Sequence, residues 1–490
     1  MEVLKKYRFL LFLFSLFLLT RLVVLIRFPL FGDEAIYLYW AQQLLRNFRF
    51  NIWISLIDGK QPLFIWLTSV FMHFIANPIV AGRLVSFCAA FGSFTGVYLV
   101  TKEFFDKQTA HLALVLYLIL PFFLIYDVLA LMDGLLLCLS IFSCYLAVIL
   151  AKRGSILVAL GLGVVMGLGL LTKSSATFFL LLSAPATLFA LNKTRSEILK
   201  LICLFALSIS VALGIGTLLR LSTYFPVIAQ KNHLFIRTTA EVIQDPVSGV
   251  FENTKNITSW LFGYLGLGIF LFAPVGVLLK KQKYRETFFL LAHFLIPILA
   301  LILYGKQLFP RYVLFMCWPL VILSAHGLMQ VRNTLAVKHT LLPFALVAFF
   351  SVQIFTTYTV LINPDSAKLP ALERLQFFEG NFSGTGLPEL YTFFDSHQDQ
   401  KVVILVDNPL GVLPNGLNIR YAQHKNMKII GADDIQTTQV EKYREKYPEN
   451  EMFLLLTWQG GPPPGVETDL ALSVPKEHNP SLVWRVYRVK

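Results

Sequence analysis

Long apolar runs, separated by short polar segments, occupy the first three quarters of the chain. Runs of about 18 or more apolar residues are long enough to cross a bilayer as a helix. A shorter apolar run at 62–75 is interpreted as a helix lying in the membrane interface, with a further span as the alternative. The pattern predicts a mainly α, polytopic membrane bundle of about 11 to 13 transmembrane helices. The predicted spans lie at 8–28, 79–101, 110–127, 131–150, 156–172, 174–191, 198–219, 258–279, 286–304, 311–330 and 339–361.

The pattern changes after residue 361, where polar sequence with short β-branched runs replaces the apolar runs. Such runs, bounded by turn residues, are typical of strands, and a helical stretch at 434–446 lies between two of them. We therefore predict a membrane domain at 1–361 and a small α/β soluble domain at 362–490. The candidate strands are 401–406, 427–430, 452–456 and 482–489.

Composition agrees with a membrane protein. Of 490 residues, 56% are hydrophobic and 14% are charged, and mean hydropathy is +0.65. Continuous apolar runs exclude a membrane barrel, whose strands alternate apolar and polar side chains. The net charge of +13 comes from short basic clusters between apolar runs, which favours membrane lipids as partners and no nucleic acid.

Lysine and arginine are unevenly distributed over the short loops. Cytoplasmic loops carry an excess of these residues. Only Lys173, Lys306 and Arg311 fall in the other short loops. We therefore expect a cytoplasmic N-terminus, retained as an anchor in the plasma membrane, and extracytoplasmic segments at 29–78, at 220–257 and after 361. The loops that we expect to be cytoplasmic contain sixteen basic residues: Lys5, Lys6, Arg8, Lys102, Lys107, Lys152, Arg153, Lys193, Arg195, Lys200, Lys280, Lys281, Lys283, Arg285, Arg332 and Lys338.

Two adjacent carboxylates, Asp33 and Glu34, follow the first span directly. Ile36, Trp40 and Leu44 then recur every four residues, which predicts a helix whose apolar face can lie in the interface. An acidic helix cap would need only one of the two carboxylates. The second carboxylate favours a chemical role for the pair.

Other charged residues lie at the predicted outer ends of spans. Lys60 can meet a lipid phosphate or simply reach the interface. Asp133 is a candidate functional carboxylate and Asp127 a weaker one. Lys173 and Arg311 lie on the predicted outer side, where basic residues are scarce, so each needs a reason to be there. They either bind an anionic substrate or pair with carboxylates. Arg83, inside a span, is interpreted as structural.

His233 and Arg237 are four residues apart in the large outer loop. Arg237 joins the candidate phosphate-binding cations. A lone histidine is usually not a ligand, so His233 is only a candidate for a divalent metal, and no motif requires a cofactor. Together the carboxylates can act as general base toward an acceptor hydroxyl, while the cations stabilise charge on a phosphate leaving group.

The order of these motifs resembles that of the GT-C membrane glycosyltransferases, in the branch of protein O-mannosyltransferases and lipid A aminoarabinose transferases. The resemblance covers about residues 1–330. It implies a polyprenyl-phosphate sugar donor, an outward-facing site and inversion by direct displacement. The motifs are Gly32-Asp-Glu34, Gly59-Lys-Gln-Pro62 before Trp66, Arg83, Leu131-Met-Asp133, Leu171-Thr-Lys173 and Pro310-Arg-Tyr312.

The resemblance also assigns roles. Asp33 would be the catalytic base, Lys60 would contact the donor phosphate, and Asp133, Lys173 and Arg311 would complete the cavity. In the lipid A branch a glutamate precedes the lysine and helps to hold a metal with a loop histidine, whereas Gly59 stands at that position here.

Transfer to an extracytoplasmic hydroxyl of a glycolipid, a cell-surface polysaccharide or a protein is therefore the predicted activity. A carrier that moves a lipid-linked sugar without chemistry is the alternative. Such a carrier places ionisable residues near the bilayer midplane and has paired repeats. Here the polar residues cluster at one face, which favours the enzyme over the carrier.

Overall fold

The computed structural model describes residues 2–278, 283–334, 341–457 and 460–490, and it is mainly α-helical. The helices of the first half are, in chain order, α1 (Glu2–Arg27), α2 (Gly32–Arg46), α3 (Phe48–Asn51), α4 (Leu63–Met72), α5 (Pro78–Phe104), α6 (Lys107–Ile119), α7 (Pro121–Tyr126), α8 (Met132–Arg153), α9 (Ile156–Leu170), α10 (Thr177–Ser183) and α11 (Arg195–Gly216). Those of the second half are α12 (Phe225–Phe235), α13 (Thr239–Gln244), α14 (Val250–Leu278), α15 (Tyr284–Tyr304), α16 (Trp318–Thr334), α17 (Leu342–Ile362), α18 (Ala371–Arg374), α19 (Leu387–Asp395), α20 (Val412–Tyr421) and α21 (Thr437–Lys446).

Seven helices of the described part of the chain are long and apolar enough to cross a membrane. An eighth crossing results when the 3₁₀ helix Pro310–Met316 and Trp318–Thr334, which meet at 57°, are counted as one bent span. The prediction of a polytopic membrane protein is thereby confirmed. The seven are Arg8–Arg27, Pro78–Phe104, Met132–Arg153, Arg195–Leu221, Val250–Leu278, Tyr284–Tyr304 and Pro343–Ile362.

With the bent span included, the described part of the chain has eight possible crossings, three fewer than the eleven predicted spans. The difference arises because three of the predicted spans are short or broken. The 110–127 run is divided into α6 and α7, with Pro121 at the start of α7. The 174–191 run consists of two 3₁₀ segments around α10, and Pro185 is the second residue of the latter segment. Proline has no N–H and ends a preceding helix.

The third shortened span, 156–172, becomes the 15-residue α9. Composition predicts the apolar runs but not where a helix within them ends.

Three basic residues of the charge bias, Lys280, Lys281 and Lys338, lie outside the described residues. So do residue 279 and residues 339–340, which belong to two predicted spans.

The chain divides into two compact units. The first comprises Met1–Arg27, Ile52–Leu67 and Arg83–Pro370. The second comprises Phe28–Asn51, Thr68–Gly82 and Ala371–Lys490. The second unit therefore contains α2 as well as the C-terminal sheet. The domain boundary at 361/362 stays a prediction.

A five-stranded sheet forms the C-terminal part of the second unit, where the sequence predicts a small α/β domain with four candidate strands. Its strand order is β2-β1-β3-β5-β4, with β1 parallel to β2 and β3, and β5 antiparallel to β3 and β4. The strands are β1 (Val402–Val406), β2 (Met427–Gly431), β3 (Glu451–Leu456), β4 (Thr468–Lys476) and β5 (Asn479–Val489).

Sequence reasoning did not predict β4. It is an edge strand, and most of its side chains are exposed or half-buried. A strand without a buried face lacks the apolar alternation that marks strands in a sequence. The central β1, in contrast, is buried along its whole length and was predicted almost to the residue.

Two arginines and one carboxylate are buried among the helices of the first unit. Arg21 Nε donates to Asp127 Oδ2 at 2.9 Å, and Tyr117 Oη donates to Asp127 Oδ1 at 2.8 Å. Arg83 Nη1 donates to the carbonyl of Leu25 at 2.8 Å, which supports its structural interpretation. Buried charges need such partners because desolvation is costly. Asp127 therefore has a structural partner in α1.

Removing one member of the Arg21–Asp127 pair should destabilise the protein. Arg21→Met leaves the Asp127 carboxylate buried without its cation, and we expect a loss of about 3 to 5 kcal/mol in the free energy of unfolding. Denaturation in detergent micelles measures it. The control, Lys152→Met, removes an exposed pair with Glu103 and should cost less than about 1 kcal/mol. Equal losses in the two variants would contradict the prediction.

Candidate active site

Helix α2 carries the two adjacent carboxylates in its first turn. Glu34 is fully buried, and its Oε2 accepts a hydrogen bond from the backbone N–H of Phe31 at 3.0 Å. Asp33 is half-buried. A carboxylate in the first turn is stabilised by the helix dipole. Glu34 therefore caps the start of the helix.

The apolar face of α2 is covered by protein. Ile36, Trp40 and Leu44 are buried, and α2 packs against α20, with Gln42 Nε2 donating to the carbonyl of Ile419 at 3.2 Å. The sequence predicted this face but assigned it to the membrane interface. Periodicity reveals an apolar face without identifying its neighbour, which here comes from almost 380 residues further along the chain.

Lys60 follows a tight turn that only glycine adopts readily. The 3₁₀ helix Ile54–Asp58 ends at Gly59, whose φ is 70°, and Lys60 N donates to the carbonyl of Ser55 at 3.0 Å. A Cβ at Gly59 would lie 2.9 Å from Cβ of Lys231. A glutamate at 59 would therefore be strained and crowded.

Lys173 and Asp133 form an ion pair. Lys173 Nζ lies 2.7 Å from Asp133 Oδ1, joining the segment after α9 to the first turn of α8. Lys173 Nζ also lies 4.5 Å from the ring centroid of Tyr312. Burial lowers the pKa of Lys173, the carboxylate of Asp133 opposes that shift, and the charges of Arg311 and Lys60 add to it.

Aromatic rings connect Lys173 with the other two cations. The guanidinium carbon of Arg311 lies 5.1 Å from the Phe309 ring and 5.9 Å from the Tyr312 ring. Lys60 Nζ lies 5.5 Å from the Phe235 ring, whose centroid is 6.4 Å from that of Tyr312. Cations are attracted to ring faces at such distances. We call Lys60, Lys173, Arg311, Phe235, Phe309 and Tyr312 the cation–aromatic cluster.

Sequence reasoning named the three cations of this cluster but not all of its rings. Tyr312 stands in a quoted motif, whereas Phe235 has no signal of its own beyond its position between His233 and Arg237. A serine was also missed. Ser174 Oγ accepts from Gln61 Nε2 at 2.7 Å and from Asn232 Nδ2 at 3.2 Å, which links three segments next to the cluster.

Arg237 and His233 have different surroundings. The guanidinium of Arg237 donates to the carbonyls of Ser248 at 2.9 Å and Glu241 at 2.7 Å, so it holds the loop around α13. His233 is exposed and, among the described residues, belongs to no group of three or more side chains that could hold a metal. With glycine at 59, the residues around Lys60 do not fit the metal site of the lipid A branch.

The predicted site residues thus fall in both units. Lys60, Asp133, Lys173 and Arg311 lie in the first unit, and the structure brings the four together. Asp33 and Glu34 lie in the second unit.

A family model supports the resemblance seen in the motifs. Residues 59–218 match the model described as dolichyl-phosphate-mannose-protein mannosyltransferase. That segment includes Lys60, Asp133 and Lys173. No curated protein matches the sequence.

Solved structures share the fold over nearly the whole chain. ArnT from Cupriavidus metallidurans in the apo state matches with a TM-score of 0.62 and 14% identity, over 99% of this chain and 98% of ArnT. The same protein bound to undecaprenyl phosphate gives 0.62 at 13% identity, with the same coverage.

A third similar structure comes from an archaeon. The oligosaccharyltransferase AglB from Archaeoglobus fulgidus, in complex with an inhibitory peptide and a dolichol-phosphate, gives a TM-score of 0.54 at 13% identity, over 93% of this chain and 70% of AglB. The family-model match and the shared fold confirm the resemblance to the GT-C membrane glycosyltransferases that the ordered motifs indicate.

Proposed function

We propose that the protein is a glycosyltransferase that moves a sugar from a polyprenyl-phosphate donor to an extracytoplasmic acceptor hydroxyl, with inversion at the anomeric carbon. The cation–aromatic cluster carries this proposal. Three cations gathered around aromatic rings, with one carboxylate among them, suit a phosphate that gains charge as the sugar leaves. The undecaprenyl phosphate and dolichol-phosphate bound to ArnT and AglB support the donor class.

Lys60 and Arg311 are the main candidates for contact with the donor phosphate. In the described part of the chain Lys60 has no carboxylate within ion-pair distance, so its charge is available to a ligand. Lys173 already has Asp133 at 2.7 Å. That pair holds Lys173 in place, and its remaining N–H groups can still meet the phosphate.

Asp33 is the proposed base. It takes the proton of the acceptor hydroxyl while that oxygen forms a bond to the anomeric carbon. The bond between the anomeric carbon and the phosphate oxygen breaks, and polyprenyl phosphate leaves without protonation. The displacement therefore needs one base, and Glu34 serves the helix start by binding the Phe31 N–H.

The acceptor is proposed to be a glycolipid or a cell-surface polysaccharide, with a protein hydroxyl as the other candidate. The three share the chemistry of a weakly acidic hydroxyl, which needs a base during attack. A panel of acceptors, offered with one labelled donor, distinguishes them.

Asp33→Asn should reduce turnover by about 10²- to 10⁴-fold, because the amide keeps the size of the side chain but cannot accept the proton. Turnover is the release of undecaprenyl phosphate by the reconstituted protein, from a panel of undecaprenyl-phosphate sugars with cell-envelope glycolipids and polysaccharides as acceptors. Binding of undecaprenyl phosphate should be unchanged.

The matched control is Asp469→Asn, an exposed carboxylate paired with Lys490, which should leave turnover near that of the wild type. Near-normal turnover of Asp33→Asn, together with its abolition by Asp133→Asn, would move the base to Asp133. If neither change mattered while the sugar lipid still crossed vesicle membranes, the carrier would replace the enzyme.

Lys60→Ala should weaken binding of undecaprenyl phosphate by about tenfold or more, because a charge-assisted contact to phosphate contributes about 1.5 to 3 kcal/mol. Thermal stability should hardly change, since Lys60 is only half-buried. Lys102→Ala is the control: Lys102 also lies over a ring, that of Tyr98 at 6.0 Å, but in a predicted cytoplasmic segment. Equal affinities in wild type and Lys60→Ala would reject the contact.

The proposed orientation can be checked by labelling. Single cysteines at Arg49 and Glu445, both exposed, should react with an impermeant thiol reagent in intact cells when the five native cysteines are replaced. A cysteine at the exposed Ser196, in a predicted cytoplasmic segment, should react only after the membrane is permeabilised. The reverse pattern would overturn the orientation.

A further inference from the structure

A loop of the second unit is bonded to the residues that precede Asp33. We call residues 380–386 the 380s loop. Gly32 N donates to the carbonyl of Phe382 at 2.9 Å, and Gly384 N donates to the carbonyl of Leu30 at 2.7 Å. Phe31 and Ser383 thus form an antiparallel bridge. The start of α2 therefore takes its position from this loop.

A buried lysine of the sheet holds the 380s loop in turn. Lys476, at the end of β4, is 1% exposed, and its Nζ donates to the carbonyl of Ser383 at 2.8 Å and to the carbonyl of Thr385. The same Nζ lies 3.3 Å from the ring centroid of Trp484. Both carbonyls belong to residues next to Gly384, the residue that donates to Leu30.

The burial of this lysine needs a reason, because lysine is almost never fully buried unless it is paired. Burial lowers the pKa of Lys476 to about 6. An apolar side chain would fill the position without that desolvation cost, but it would leave two carbonyl groups without a donor. The lysine is thus placed to fix the loop backbone.

Other bonds stiffen the same loop. Ser383 Oγ donates to the carbonyl of Phe377 at 2.6 Å, and Thr385 Oγ1 donates to the carbonyl of Phe378 at 3.0 Å. The Phe377 ring packs edge-on against Phe31, with centroids 5.3 Å apart. The loop, its lysine and the residues before α2 form one connected structure.

We propose that Lys476 is a positioning residue for the reaction: it fixes the 380s loop, which fixes the first turn of α2 and with it the carboxylate of Asp33. The inference rests on the proposed role of Asp33 as base. It gives the C-terminal sheet a function that does not require contact with the substrate.

Lys476→Met tests the proposal. The methionine fills the volume but cannot donate to the two carbonyls. We expect faster amide hydrogen exchange in the peptides that contain Gly32 and Gly384. Turnover should fall by about 10- to 100-fold, since a misplacement of about 1 Å costs rates of that order. The KM for the donor should stay within about twofold of the wild type, because the proposed contacts to the donor phosphate are made by the cation–aromatic cluster.

Lys428→Met is the matched control. Lys428 is an exposed lysine of the same sheet that also lies over a ring, that of Tyr447 at 4.3 Å. Its replacement should change neither exchange nor turnover.

A second variant changes the 380s loop directly and leaves Lys476 in place. A Cβ at Gly384 would lie 2.5 Å from the carbonyl oxygen of Leu30, so Gly384→Ala should separate the two segments. Gly461→Ala is its control, because a Cβ there meets nothing within 4 Å. Gly384→Ala should reproduce the faster exchange at Gly32 and the loss of turnover, and it provides the test even if Lys476→Met does not fold.

The hydrogen-exchange result is independent of the reaction. Wild-type exchange at Gly32 in Gly384→Ala and in folded Lys476→Met would overturn the positioning role whatever Asp33 does. Faster exchange with unchanged turnover, in an enzyme that Asp33→Asn inactivates, would also overturn it. Normal turnover of Asp33→Asn itself would instead refute the proposed base.

Discussion

Asp133 supplies the negative charge that lets three cations gather around the same group of rings. Burial lowers the pKa of Lys173, and the charges of Arg311 and Lys60 add to that shift. The carboxylate at 2.7 Å from Lys173 opposes it. A bound phosphate would oppose it further, so the same electrostatic strain that Asp133 relieves in part favours an anionic ligand.

Two groups of charged residues in the first unit differ in their surroundings. Arg21, Arg83 and Asp127 are fully buried, and their bonds go to other helices and backbone carbonyls, which is what stabilising a helical membrane protein requires. The cations of the cation–aromatic cluster lie over ring faces instead, and Lys173 pairs with Asp133. Sequence position alone gives both groups the same appearance, because each stands at or near the end of an apolar run.

Local patterns explain what could be predicted from the sequence. The apolar runs, the central strands and the charged residues at span ends each leave a signal within a few residues of sequence. The contact of Phe235 with Lys60, the cover over α2 and the burial of Lys476 depend on contacts between distant segments. Lys476 stands in an edge strand whose other side chains are mostly exposed, and only the folded chain reveals that its Nζ lies over the Trp484 ring and donates to the 380s loop.

Helix geometry distinguishes the two adjacent carboxylates, of which the resemblance assigns the role of base to Asp33 alone. Neighbouring residues of an α-helix point about 100° apart, so Asp33 and Glu34 cannot serve one group in the same way. Glu34 is directed to the helix start, where it is fully buried and accepts the Phe31 N–H. Its negative charge thereby stabilises the turn that the 380s loop also holds. Asp33 lies on a different side of the same turn and is half-buried, which supports its proposed role as the base.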